Sequence, residues 1–150
     1  MLRPIASGLA LLALAACSSP ERAPVASAGT VQATNAVCRP SAPGRRMALC
    51  YVTLTASQAD SLVSATSPRA ARVSLHDVPL QNSMIVLQPR SAPILLPAGE
   101  PTVLQPGGQA LALQALDASA VVGETIPIVL TFSAAPSMQI AAPVLAEPAA

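Results

Sequence analysis

The 150-residue chain contains no lysine, no tryptophan and only one histidine, one tyrosine and one phenylalanine. Charged residues make up 10 % of the sequence, and eight arginines are spread along the chain against seven acids. A protein that binds nucleic acid needs a concentrated cationic face to displace counterions from phosphates. No basic block of that kind is present, so we expect no nucleic-acid partner.

The N-terminal segment has the pattern of a lipoprotein signal. Its apolar stretch, Ile5 to Ala16, is shorter than the roughly 20 residues that span a bilayer and is typical of a secretory signal peptide. The stretch ends in Leu-Ala-Ala-Cys17, which resembles the bacterial lipobox, where cleavage precedes a lipidated cysteine. We therefore predict a signal peptide over residues 1–16 and lipidation of Cys17, with an ordinary signal peptide and a chance cysteine as the alternative.

This pattern also predicts where the protein is located. Ser18, which follows the cysteine, resembles the outer-membrane sorting pattern. We expect a periplasmic protein attached through its lipid to a bacterial membrane, the outer membrane in preference to the inner one.

The rest of the chain predicts a single all-β domain. Residues 17–30 are rich in Ser, Pro and Ala and indicate a flexible tether, and residues 142–150 indicate a disordered tail. The 16 prolines of the chain leave little room for a long helix. Between tether and tail, in a domain over residues 31–141, turn signals separate short apolar segments that we interpret as strands. The predicted strands are 31–38, 47–55, 62–66, 70–76, 84–88, 101–105, 109–116, 126–132 and 137–141.

Two cysteines, Cys38 and Cys50, remain after the lipidation candidate. Export places them in an oxidising compartment, which favours a disulfide. A thiolate metal site is the alternative, although such sites usually have CxxC spacing or adjacent histidines.

The single histidine, His76, lies in a predicted strand. Alternation places Val73 and Leu75 on one face and Ser74 and His76 on the other, so we expect His76 on a polar, outer face. Nucleophilic catalysis requires a base, a nucleophile and an orienting group together. Asp77 points away from His76, and no Gly-x-Ser-x-Gly motif occurs, so we do not expect an enzyme.

Imidazole and thioether groups together form a ligand set that suits Cu(I), which makes the context of His76 informative. The order and spacing of six segments between about residues 37 and 140 resemble the PCu(A)C family of periplasmic copper chaperones. The resemblance implies a cupredoxin-like, immunoglobulin-like antiparallel β-sandwich, Cu(I) as the bound metal, and a copper-accepting membrane or periplasmic protein as partner. The segments are 51–55, 62–68, 71–76, 96–99, 104–108 and 126–132.

The copper ligands of that family follow the pattern His-x₁₀-Met-x₂₁-His-x-Met, and His76 matches its first position. The position of the first methionine is occupied by Leu87. If the second half is aligned on Pro-Gly-Gly at 106–108, Ala110 and Ala112 occupy the last two positions. Strict counting instead places Gln109 and Leu111 there, and neither alignment supplies a ligand.

Met84 is the candidate for a replacement ligand, and we name His76 and Met84 as the candidate metal residues. Met84 precedes the expected methionine by three residues, which places it on the other strand face unless a bulge intervenes. Two functions follow as hypotheses. One is weak Cu(I) binding or delivery through His76, and the other is a non-metal binding or structural envelope lipoprotein on the same scaffold.

Overall fold

The computed structural model describes residues 28–146. The predicted signal peptide, the lipidation candidate Cys17 and the tether up to residue 27 lie outside the described residues. Within the described part of the chain, no helix is long and apolar enough to cross a membrane.

The described residues form twelve β-strands. This confirms the all-β prediction, with two additional short strands at β5 and β8 and a division of the predicted strand 84–88 into two. The strands are β1 Val31–Pro40, β2 Met47–Ala56, β3 Asp60–Thr66, β4 Ala70–Asp77, β5 Leu80–Gln81, β6 Met84–Ile85, β7 Gln88–Pro89, β8 Ile94–Leu96, β9 Pro101–Val103, β10 Gln109–Leu116, β11 Thr125–Phe132 and β12 Met138–Pro143.

The strands form two main sheets and a small hairpin. The first sheet has the order β1-β2-β10-β4-β7, with β9 also paired to β2, and the second has the order β12-β11-β3-β8. Strands β5 and β6 pair only with each other, and the strand ladders are antiparallel.

The principal core lies between the two main sheets, because buried side chains from both belong to one cluster. Burial of this continuous apolar layer is the main source of stability for such a sandwich. The largest fully buried side chains include Val52, Leu54, Leu111 and Leu113 from the first sheet and Leu62, Ile126, Ile128 and Leu130 from the second.

The first sheet also buries its other face. From Ala110 to Leu113, four successive residues of β10 are fully buried, although side chains alternate between faces. The outer pair, Ala110 and Ala112, belongs to a second apolar cluster with Leu49, Tyr51 and Val78. The first sheet is therefore covered on both sides near β2, β10 and β4.

The tail prediction is wrong for residues 142–146. Strand β12 continues to Pro143, Ala142 and Val144 are fully buried, and the amide of Leu145 donates to the carbonyl of Cys38 at 2.9 Å. The apolar alternation of β12 simply continues, so these residues fill the core beside β1. Residues 147–150 lie outside the described residues.

Candidate functional site

His76 lies on β4 of the first sheet, directly opposite Ala110 of β10 on one side and Pro89 of β7 on the other. It lies on the opposite strand face to Leu75, which belongs to the core between the sheets. The predicted face is therefore correct. The predicted exposure is wrong, because only 5 % of His76 is accessible to solvent.

The segment that follows β4 explains this burial. Val78 belongs to the second apolar cluster and Ile85 packs against it, while the amide of Val86 donates to the carbonyl of Pro79 at 3.1 Å. Residues 78–87 therefore fold back over the face that carries His76. Alternation within β4 could not show this cover, because it comes from a different segment.

One nitrogen of the His76 ring has a partner and the other has none. His76 Nε2 is hydrogen-bonded to Ser74 Oγ at 3.0 Å, and Gln114 Nε2 donates to the same hydroxyl oxygen at 3.4 Å. His76 Nδ1 is buried and has no hydrogen-bond partner among residues 28–146. Buried polar atoms normally have partners, and an unprotonated imidazole nitrogen can act as a metal ligand.

Burial also favours the neutral imidazole. It lowers the pKa of His76 from its ordinary value of 6.5, and the nearby charge of Asp77 opposes this change in part. Asp77 is itself bound by Arg90, whose Nη1 donates to its Oδ1 at 3.1 Å. The ring is thus held in the form that binds transition metals.

The candidate metal residue Met84 lies on the outside of the covering segment. Its side chain is 66 % exposed, whereas the next residue, Ile85, packs inward against the second cluster. Asn82 and Ser83 form a two-residue turn with positive φ angles of 50° and 63°, which is the geometry of a type I′ hairpin. His76 therefore lies beneath the covering segment, and Met84 lies on the side of that segment that faces the solvent.

The two alternative alignments place the last two ligand positions on opposite faces of β10. Ala110 and Ala112 are opposite His76 and Ser74 and belong to the covered face. Gln109 and Leu111 point the other way, and Leu111 belongs to the core between the sheets. The geometry therefore favours Ala110 and Ala112 as the equivalent positions, and both carry only methyl groups.

Leu87 occupies the position of the first methionine in the ligand pattern. It lines a cavity of about 180 Å³ together with Ile85 and with Leu49 and Tyr51 of β2. Arg39 also lines this cavity. The position of Arg39 at this cavity was not predicted from the sequence, although the alternation of β1 places Arg39 on the same face as Val37. Among residues 28–146, no group of three or more His, Cys, Asp or Glu side chains is arranged to hold a metal ion.

The sulfur atoms of Cys38 and Cys50 are joined in a disulfide in the structure. The two residues are directly opposite in the β1–β2 ladder, with their Cα atoms 4.0 Å apart. Both are buried in the core between the sheets, on the other side of the first sheet from His76.

Comparison with known sequences finds similarity to proteins described as putative lipoproteins. Residues 31–144 match the family model described as "Putative lipoprotein LpqE-like". A relative described as "Putative lipoprotein Lxx21020", from Leifsonia xyli subsp. xyli (strain CTCB07), is 29 % identical over 148 residues, which is 96 % of this chain and 89 % of the relative.

Comparison with solved structures identifies the fold. The apo PCuAC domain from PmoF1 matches with a TM-score of 0.66 at 24 % identity, covering 81 % of this chain and 98 % of that domain. The copper-bound PCuAC domain from PmoF2 gives 0.64 at 22 % identity, covering 81 % and 97 %. The solution structure of apo-DR1885 from Deinococcus radiodurans gives 0.58 at 26 % identity, covering 93 % and 98 %.

These matches confirm the predicted cupredoxin-like, immunoglobulin-like antiparallel β-sandwich. The family model covers most of the chain, from Val31 to Val144, which includes the tail residues that the structure places in the core. The chain therefore belongs to the LpqE-like family, and its domain has the fold of PCuAC domains.

Proposed function

We propose that this protein is a lipid-anchored extracytoplasmic protein that uses the PCuAC scaffold to bind a non-metal ligand or partner and does not hold Cu(I) tightly. The observation that carries the proposal is the chemistry around His76. Ala110 and Ala112, at two of the expected ligand positions, are fully buried methyl groups, and the third position is Leu87. Cu(I) needs several soft or imidazole donors, and a single imidazole does not supply them.

The proposed location rests on the N-terminal sequence and on the relatives. The family model is described as "Putative lipoprotein LpqE-like", which supports cleavage after residue 16 and lipidation of Cys17. We place the domain in the periplasm, attached to the outer membrane, because Ser18 follows the cysteine. Firm attachment is expected, since each buried methylene of an acyl chain contributes about 0.8 kcal/mol.

Weak Cu(I) binding through His76 is the second candidate function. It is favoured by the buried Nδ1 atom, which lacks a partner among the described residues. Met84 would serve as the second ligand only after the β5–β6 hairpin turns its exposed side chain inward. In this case the protein would pass copper to a copper-accepting membrane or periplasmic protein.

A Cu(I) competition titration distinguishes the two candidates. It uses a soluble form of the chain that begins at Ser18, a chromophoric Cu(I) chelator, and the variants His76→Ala and Met84→Leu. We expect the unmodified protein to bind Cu(I) no more tightly than a short peptide with one histidine. Sub-nanomolar binding that His76→Ala abolishes would overturn the proposal, and loss in Met84→Leu as well would establish the two-residue copper site.

A further inference from the structure

We propose that the cavity of about 180 Å³ between β1, β2 and residues 85–87 binds a small apolar carboxylate, with Arg39 contacting the carboxylate group. This inference rests on the proposed function, because it names the ligand that a scaffold without a copper site would take. The cavity lies on the covered face of the first sheet, where Leu87 replaces a copper ligand.

The cavity is lined mainly by apolar side chains. Leu49 and Tyr51 lie two residues apart on the outer face of β2, and both are buried in the second cluster. Ile85 and Leu87 form the facing wall. An apolar cavity of about 150 Å³ is large enough for benzene, so this one has room for one aromatic ring.

The rim of the cavity carries a cation. Arg39 is directly opposite Leu49 in the β1–β2 ladder, on the same face of the sheet, and it lines the cavity. Its Nη1 donates to the carbonyl of Ala146 at 2.7 Å. This hydrogen bond uses one of the five N–H donors of the guanidinium and fixes its orientation. The ion pairs among residues 28–146 involve Arg69 and Arg90 and not Arg39.

These features together define the ligand class. A guanidinium presents paired N–H donors that match the two oxygens of a carboxylate, and the hydroxyl of Ser41 lines the same cavity. The apolar floor requires a ligand whose remaining atoms are hydrocarbon, because burial of a further polar group without a partner is unfavourable. A monoanion with an aliphatic or aromatic body meets both requirements, and inorganic phosphate does not.

Methyl NMR of the full chain tests the proposal. The protein is placed in lipid nanodiscs, because free detergent would compete for an apolar cavity, and is titrated with benzoate, with benzamide and with inorganic phosphate. We expect benzoate to shift the methyl signals of Ile85 and Leu87 with a dissociation constant of about 0.1–1 mM. Benzamide should bind about tenfold more weakly, and phosphate should cause no shift of these signals.

Three variants locate the contacts. Arg39→Gln should weaken benzoate binding about tenfold, and Arg45→Gln, which removes a cation outside the cavity, should leave it unchanged. Leu87→Phe should fill the cavity and abolish binding while the remaining methyl signals stay dispersed as in the folded protein.

The results would overturn the inference if benzoate and benzamide bound equally, or if Leu87→Phe left benzoate binding intact. The copper titration is a separate measurement. Absence of benzoate binding together with weak Cu(I) binding would reject the carboxylate ligand and leave the proposed function standing. Tight Cu(I) binding would reject the proposed function whatever benzoate does.

Discussion

His76 and Ala110 are directly paired across the β4–β10 ladder, on a face that residues 78–87 cover. A residue at 110 can therefore place its side chain beside the His76 ring, since paired residues in antiparallel strands have Cβ atoms about 4.5–5.5 Å apart. Alanine at this position leaves the ring without a second ligand. The proposed absence of a tight Cu(I) site therefore rests on the small side chains at 110 and 112, because the scaffold itself has the fold of PCuAC domains.

This pairing predicts that a Cu(I) site can be introduced by placing ligands at positions 110 and 112, and that ligands at positions 109 and 111 will not form one. The triple variant Leu87→Met/Ala110→His/Ala112→Met should gain Cu(I) affinity by several orders of magnitude in a chelator competition assay. Its stability without copper should fall by about 1–3 kcal/mol, because the larger side chains overpack a closed face.

The matched control uses the alternative alignment, Leu87→Met/Gln109→His/Leu111→Met. Leucine to methionine in the core usually costs less than about 1.5 kcal/mol, so this variant should fold. Its new side chains at 109 and 111 face away from His76, so we expect no gain in Cu(I) affinity. Equal gains in the two triple variants would contradict the assignment of the face.

Burial of His76 predicts a loss of stability at mildly acidic pH. Because burial lowers the pKa of His76 below its ordinary value of 6.5, the unfolded chain takes up the proton first as the pH falls. The free energy of unfolding should therefore be constant above about pH 7 and decrease below about pH 6.5.

Urea unfolding between pH 7.5 and pH 5 measures this effect, with Tyr51 fluorescence as the signal, since the chain has one tyrosine and no tryptophan. His76→Gln should remove most of the slope in this range. A slope of the same size in that variant would assign the effect to other groups. Asp60, whose pKa is lowered from 3.8 by backbone hydrogen bonds in spite of an opposing contribution from burial, should contribute only at lower pH.

The sequence predicted most reliably where side chains alternate without interruption. In β11, alternation places Ile126, Ile128, Leu130 and Phe132 on one face, and all four are buried. The same rule placed His76 on the correct face of β4. The same rule could not show that another segment covers this face, because alternation gives the direction in which a side chain points and not which segment packs against it.

Short elements with weak patterns were the ones missed. Strand β8 has three residues and β5 has two, which is too short for alternation to be recognised. The position of Arg39 at the cavity was not predicted for a related reason. It depends on the register of β1 and β2, which pairs Arg39 with Leu49, and on the path of residues 85–87 back over this face. Composition alone does not determine that register.

The disulfide predicts two results that are independent of the metal question. The soluble form that begins at Ser18 should gain two mass units on reduction, and Cys38 and Cys50 should resist alkylation before it. A loop closed by residues 12 apart in sequence stabilises by about 3 kcal/mol in the chain-entropy account, so Cys38→Ala/Cys50→Ala should lose about that much. Alkylation of both thiols without reductant would reopen the thiolate metal site.

The C-terminal residues provide the last prediction, because the structure places Val144 in the core where a disordered tail was expected. Val144 is fully buried, whereas Leu145 is 47 % exposed. Val144→Ala should therefore lower the free energy of unfolding by about 1–3 kcal/mol, and the matched variant Leu145→Ala should change it by less than about 0.5 kcal/mol. Urea unfolding of both variants measures the difference. Equal, near-zero effects would mean that Val144 does not contribute to the core in the way that its burial indicates.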